Sequence, residues 1–273
     1  MRVALVLLGC LAVLLGGLYA GQRQLIYFPR KMSPAEFAAE VRAALGERAE
    51  ILAPFDAVVI EPPPATAARG TAIVFHGNAS LGLDRAHLAA VFAARGLRLV
   101  LAEYPGYGPR GGAPTERALV ADGEALYAAV LRRYPDAPVL LVGESLGTGV
   151  AVQVAVRQAQ RPPARLLLLT PFLSLAETAA RVYWFLPARY LIRDRFDSAG
   201  ELPRFSGPVA ILVAARDEVV GAAQGRALGQ LSRLRGETTY IEIPEAGHNT
   251  WSALMTDAQW TLLLGLAPAP GSR

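Results

Sequence analysis

Seven short apolar runs, most of them separated by a segment of helical period, set what this chain can fold into. The runs are Ala57–Ile60, Thr71–Phe75, Leu97–Ala102, Val139–Val142, Leu166–Leu169, Val209–Val213 and Tyr240–Ile243. Most stay apolar throughout instead of alternating with polar residues, the pattern of strands covered on both faces. Helical periods fall at about Asp84–Arg95, Thr115–Tyr134, Ser145–Gln160, Ala222–Leu234 and Ser252–Leu264. Strands and helices in this alternation predict an α/β fold, with a mostly parallel central sheet and helices on both faces. The 273 residues suffice for one large domain, and 53% hydrophobic against 18% charged residues excludes a disordered chain.

The longest interruption of the alternation is Pro171–Pro208, which carries Trp184, Phe185, Leu186 and Tyr190 among five arginines. An aromatic insertion at the carboxyl edge of a parallel sheet predicts a short lid over residues 171–208, against the alternative of a helical excursion packed on the core. The Glu61–Gly70 stretch, with three consecutive prolines, reads as a surface loop inside the domain.

The amino terminus stands apart. Val3–Ala20 holds 18 consecutive residues without a charge. As a helix this run spans about 27 Å, close to the roughly 30 Å of a bilayer's hydrocarbon core. Leu18 is too large for the small-residue positions that precede a signal-peptide cut after Ala20, which favours a retained anchor over a signal segment for residues 1–22, with 23–273 forming the body. Tyr19, Tyr27 and Phe28, with Arg23, Arg30 and Lys31, resemble the aromatic and basic belt of a membrane interface, or else an ordinary first strand and loop. A single-pass membrane protein is therefore expected, with both orientations open. Cys10, the one cysteine, lies inside the apolar run and reads as inert rather than lipidated.

The motif with the most chemistry is Gly143-Glu144-Ser145-Leu146-Gly147, placed between an apolar strand and a helix. A serine on such a sharp turn is exposed for attack, and the flanking glycines let the turn crowd its neighbours. The amino end of the following helix presents N–H groups to an oxyanion. A serine hydroxyl needs a base, and the base needs an orienting acid. His248, after the last strand, is the expected base; His87 lies in a helix, and His76 precedes the serine and reads as a packed histidine. Asp217, at the end of Val209–Ala214, is the expected acid, with Glu218 and Glu177 as alternatives.

These motifs resemble the α/β-hydrolase superfamily, especially its small membrane-anchored, serine-aminopeptidase-like branch. The resemblance rests on His76-Gly77-Asn78-Ala79, Tyr104-Pro105-Gly106-Tyr107-Gly108, Gly143–Gly147, Arg195-Phe196-Asp197-Ser198, Asp217-Glu218-Val219-Val220 and Gly247-His248-Asn249. It implies Ser145 as nucleophile, His248 as base, Asp217 as orienting acid, and the backbone N–H groups of Asn78 and Leu146 as the oxyanion hole. Tyr104 and Tyr107 would line the mouth of the site together with Trp184 of the lid, the tyrosines otherwise serving a structural turn. Glu103 replaces the aspartate that is more usual in this pattern, and Pro109-Arg110 replaces arginine-serine. Asp197 matches a structural position.

The expected activity is that of a serine hydrolase, acting on an ester, thioester or amide through an acyl-enzyme. The apolar lid and anchor favour a carboxylesterase or lipase-like enzyme with a small acyl-ester or lipid-like substrate. A peptidase or aminopeptidase, an acyltransferase, and a non-catalytic scaffold of the same fold are the alternatives. No cofactor and no metal site are expected, since the three histidines and single cysteine form no ligand spacing. The net charge of +4 comes from scattered arginines rather than a basic patch, so no nucleic-acid partner is expected.

Overall fold

The structure is a computed structural model that describes residues 2–64 and 68–267. The chain opens with helices α1 (Arg2–Ile26) and α2 (Pro34–Leu45), then strands β1 (Ala49–Leu52), β2 (Ala57–Ile60) and β3 (Gly70–Phe75). Helix α3 (Ala89–Ala93), β4 (Leu97–Leu101), α4 (Glu116–Arg133), β5 (Val139–Glu144), α5 (Leu146–Arg157) and β6 (Arg165–Leu169) follow. Three short helices come next, α6 (Leu175–Val182), α7 (Ala188–Leu191) and α8 (Ser198–Glu201). The chain closes with β7 (Val209–Ala214), α9 (Ala222–Arg233), β8 (Thr238–Ile243) and α10 (Asp257–Leu264).

All seven expected strands are present, in one sheet of order β1-β2-β4-β3-β5-β6-β7-β8. The pairs β1–β2 and β2–β4 are antiparallel, and every other pair is parallel. Sequential order reverses where β3 lies beside both β4 and β5, the position at which an open α/β sheet forms its crevice. Side chains alternate between two cores. Ile73, Phe75, Leu141, Leu168 and Ile211 pack on one face, and Val74, Val142, Leu167 and Leu212 on the other. Each such side chain contributes about 1.5–3 kcal/mol through burial.

Two elements lie outside the expected set. β1 is a partly exposed edge strand with Glu50 in its middle, so it shows no apolar run. α2 begins with a capping box in which Ser33 accepts from the Glu36 N–H and Glu36 accepts from the Ser33 N–H, with Pro34 in the first turn. It buries Phe37 and Val41 against the sheet. Two expected helices are shorter than their periods suggested. A 3-10 turn over Gly82–Leu88 precedes α3, and the segment from Ser252 is divided because Thr256 caps α10 through the Gln259 N–H.

Residues 171–208 divide into two parts. Phe196 and Leu202 are fully buried in the core, and Asp197 caps α8 through the Gly200 N–H. Glu116 fastens this strap by accepting from the Arg195 and Phe196 N–H groups at 2.6 and 2.9 Å. The earlier part projects, leaving Trp184, Phe185 and Tyr190 exposed. α1 runs unbroken across Ala20, and its Leu5–Ile26 portion is long and apolar enough to cross a membrane. Its last turns dock on the body: Gln22 donates to the Leu191 carbonyl, Arg23 forms a two-pronged pair with Asp194, and Tyr27 is buried. The Glu61–Gly70 loop connects β2 to β3, and residues 65–67 of it lie outside the described residues.

Arg95 is fully buried between α3 and α10, donating to the Val91 and Asp257 carbonyls, the Asp257 carboxylate and the Thr261 hydroxyl. Arg95→Ala should cost about 3 kcal/mol, because it opens a cavity and strands these acceptors. Asp257→Ala should also cost about 3 kcal/mol, because it leaves the buried guanidinium without its carboxylate. Urea unfolding measures both, and a loss below about 1 kcal/mol for either would refute this account.

Candidate active site

The turn from β5 into α5 is built by contact too close for side chains. A methyl group on Gly147 would stand 2.0 Å from the Phe75 carbonyl oxygen, and one on Gly143 would stand 2.4 Å from the Gly147 carbonyl oxygen. Between them Ser145 adopts φ 51° and ψ −117°, a region that costs a non-glycine residue about 1–3 kcal/mol. Its backbone is held from both sides, with its N–H donating to the Leu169 carbonyl and its carbonyl accepting from the Thr148 N–H and hydroxyl.

The loops after β7 and β8 bring the other two groups to this serine. Ser145 Oγ lies 2.9 Å from His248 Nε2, and His248 Nδ1 lies 2.8 Å from Asp217 Oδ2. A carboxylate only accepts, so Nδ1 carries the proton and Nε2 is left to accept from the serine hydroxyl. The second oxygen of Asp217 accepts from three N–H groups, those of Val219, Val220 and Gly221, at 3.0, 2.9 and 3.2 Å. Burial alone would push the Asp217 carboxyl up. The His248 hydrogen bond and charge, with the Val220 and Gly221 N–H groups, outweigh it and hold the carboxyl below the usual aspartate range. His248 itself is buried.

The alternatives for base and acid lie elsewhere. His76 is fully buried beneath the site, between the Gly77 carbonyl and Glu103, and His87 is on the surface. Glu177 pairs with Arg189, whereas Glu218 accepts from the His248 N–H at 3.2 Å and so supports the loop that carries the imidazole.

The loop after β3 packs against the nucleophile: a methyl group on Gly77 would stand 3.4 Å from the Ser145 Cβ. Among the described residues, neither the Asn78 nor the Leu146 backbone N–H donates a hydrogen bond. Free N–H groups are scarce in folded proteins, so these two are open to a further acceptor. The Asn78 side chain has a separate task. It donates to the Ile26 carbonyl at 2.5 Å and accepts from the Phe28 N–H, the Ala79 N–H and the Tyr107 hydroxyl. The end of α1 is thereby bound to this loop.

Three residues expected at the mouth are placed differently. Tyr104 is fully buried and donates to the His76 carbonyl at 2.8 Å, and Tyr107 is fully buried behind Asn78. Both are struts beneath the loop rather than lining residues; burial raises both phenol pKa values, so they remain neutral donors. Trp184 points into solvent at 81% exposure instead of covering the serine. Two departures from the family pattern have local partners. Glu103 accepts from the Gly82 and Tyr104 N–H groups as well as facing His76, and Arg110 reaches the Glu103 carbonyl and pairs with Asp122. Sequence reasoning missed the Arg85–Glu144 pair beside the elbow. A glutamate ending a buried strand needs a partner, which is the signal that could have revealed it.

Comparison with known proteins is consistent with this geometry. Residues 66–196 match a family model described as serine aminopeptidase, S33. An uncharacterized protein of Mycobacterium tuberculosis is 34% identical over 238 residues, 85% of this chain and 82% of that one. The lysophosphatidylserine lipase ABHD12 of Danio rerio is 34% identical over 177 residues, 59% of this chain. This match spans 46% of the lipase, less than half its length. The crystal structure of TT1662 from Thermus thermophilus shares the fold, with TM-score 0.60 at 20% identity over 80% of this chain and 95% of that one.

Two outcomes follow from the elbow and the carboxyl. Ser145→Gly should be more stable than Ser145→Ala by about 1–2 kcal/mol in chemical unfolding, because glycine releases the positive-φ strain that alanine keeps. Asp217 has a folded pKa below its unfolded value of about 3.9, so its stabilisation is present above that pH and is lost as pH falls through the lower value. The stability advantage of wild type over Asp217→Asn should therefore shrink as pH falls below about 4. A constant difference would contradict it.

Proposed function

The chain belongs to the α/β-hydrolase superfamily, and from that premise we propose that it is a membrane-anchored serine hydrolase cleaving carboxylic esters of lipid-like acyl chains. The observation that carries the reading is the unbroken series Ser145–His248–Asp217 on a strained elbow. Ser145 Oγ attacks the ester carbonyl carbon while its proton passes to His248 Nε2. Asp217, bonded at Nδ1, steadies the imidazolium that forms. The Asn78 and Leu146 N–H groups take the negative oxygen, each such donor being worth about 10²–10³ in rate. His248 then gives its proton to the departing alcohol as the C–O bond breaks. Water, deprotonated in turn by His248, releases the acid and restores the serine.

Two features favour lipid-like esters. The helix α1 is long and apolar enough to hold the enzyme at a bilayer, and the projecting Trp184, Phe185 and Tyr190 suit an interface where such substrates concentrate. Similarity to a lysophosphatidylserine lipase points the same way. The domain plan of an anchor over residues 1–22 and a hydrolase body over 23–273 belongs to this reading. A lid, in this reading, is reduced from residues 171–208 to the projecting part that carries Trp184, Phe185 and Tyr190, since Phe196 and Leu202 are core.

The full-length protein in detergent should label at Ser145 with a fluorophosphonate probe, and Ser145→Ala and His248→Ala should abolish the label. Ser145→Ala and Asp217→Asn should each lower kcat on p-nitrophenyl esters by about four orders of magnitude while leaving the fold intact. Folded wild-type protein that neither labels nor turns over would overturn the reading. Preference for amino-acid p-nitroanilides over esters would replace it with a peptidase.

A further inference from the structure

We propose that the apolar cavity between α1 and the helices α6 and α7 receives the acyl chain of the substrate, so that the membrane helix itself forms one wall of the acyl-binding site. The inference deepens the ester-hydrolase reading and rests on it. The cavity has a volume of about 100 Å³ and continues into an open groove along α1. Leu18, Leu25 and Ile26 form the α1 side, and Ala179, Leu186 and Leu191 the other.

The chemistry of the walls selects hydrocarbon. No charged side chain lines the cavity. Its one amide, Gln22, is already committed: Nε2 donates to the Tyr19 and Leu191 carbonyls at 2.9 and 3.1 Å, and Oε1 accepts from the Arg193 N–H at 2.6 Å. A polar ligand would lose its water and gain little in return, whereas a methylene chain has nothing to lose.

The position of the cavity ties it to the reacting groups from two directions. On the α1 wall, the Ile26 carbonyl accepts from Asn78 Nδ2, and the neighbouring Gly77 packs on Ser145. On the opposite wall, α6 carries Arg181, which donates to the carbonyls of Glu218 and Val219 in the loop that bears Asp217. Each wall is thus hydrogen-bonded to one of the loops flanking the nucleophile. Two tyrosines, Tyr19 of α1 and Tyr183 after α6, also line the cavity. The α1 wall lies within the membrane-length apolar run Leu5–Ile26, so a chain moving along α1 out of a bilayer reaches the cavity directly.

The test uses the full-length protein in detergent micelles. Ala179→Trp places an indole in the cavity, and Ala188→Phe does the same from α7 should the first variant not fold. Hydrolysis of p-nitrophenyl palmitate and p-nitrophenyl butyrate is measured for each, together with binding of a fluorescent 16-carbon fatty acid to the Ser145→Ala protein with and without the filling substitution. We expect the palmitate-to-butyrate ratio of kcat/KM to fall at least tenfold in the filled variants, with a parallel loss of fatty-acid affinity. An unchanged ratio in an enzyme that still hydrolyses butyrate would overturn the proposal, and so would loss of binding without loss of ratio, which would mark a resident lipid rather than substrate. Wild-type protein that hydrolyses neither ester would instead defeat the hydrolase reading. The fatty-acid arm would then decide the cavity by itself, with unchanged affinity in the filled variant overturning it.

Discussion

The approach of α5 to β3 leaves no room for a single methyl group at Gly147, and the reactive geometry depends on that closeness. With the helix held there, the chain can reach it from β5 only through a sharp reversal. Ser145 occupies the reversal with a positive φ, and its own N–H and carbonyl are bonded to Leu169 and Thr148. The strain is sustained because the surrounding backbone fixes it from both ends. The same closeness brings the loop after β3 against the serine, where a Cβ on Gly77 would stand 3.4 Å from the Ser145 Cβ.

A second constraint is polar. Beneath the β3 loop lie His76, Glu103, Tyr104 and Tyr107, all buried. Buried polar groups are tolerable only as a satisfied set. Glu103 spans from the Gly82 N–H to His76, Tyr104 ties off the His76 carbonyl, and Tyr107 ties off Asn78. The longer side chain at 103 is accommodated because Gly108 approaches its carboxylate, where a Cβ would stand 3.1 Å away. This network stiffens the loop from below. The Asn78 side chain, bonded to Ile26 and Phe28, stiffens it from above.

The parts of the molecule that were legible in the sequence are those dictated by local composition. Strands buried on both faces announce themselves as unbroken apolar runs, and a serine between glycines at a strand end announces an elbow. Asp217 was readable for the same reason, standing directly after β7. What escaped was set by partners distant in the chain. The resemblance implies Tyr104 and Tyr107 at the mouth, with a structural turn as the alternative, and the latter is what the structure has: their hydroxyls are claimed by His76 and Asn78 from another loop. Trp184 was expected over the site, and its direction is decided by where α6 ends, not by its own neighbours. β1 escaped because an edge strand needs only one apolar face. α2 need not have escaped, since Ser33, Pro34 and Glu36 spell a helix start.

The docking of α1 leaves almost no free chain between the apolar helix and the enzyme body. Gln22 and Arg23 are bonded to the segment around Leu191–Asp194, and by Ile26 the backbone is already fastened to Asn78. An enzyme on a long tether samples a volume of water and touches the membrane intermittently. On the proposed reading, this one has no tether to sample with. It would move across the bilayer as a fixed fixture of its own helix, and its encounters with substrate would be governed by lateral diffusion in two dimensions and by the surface density of ester, not by a concentration in solution.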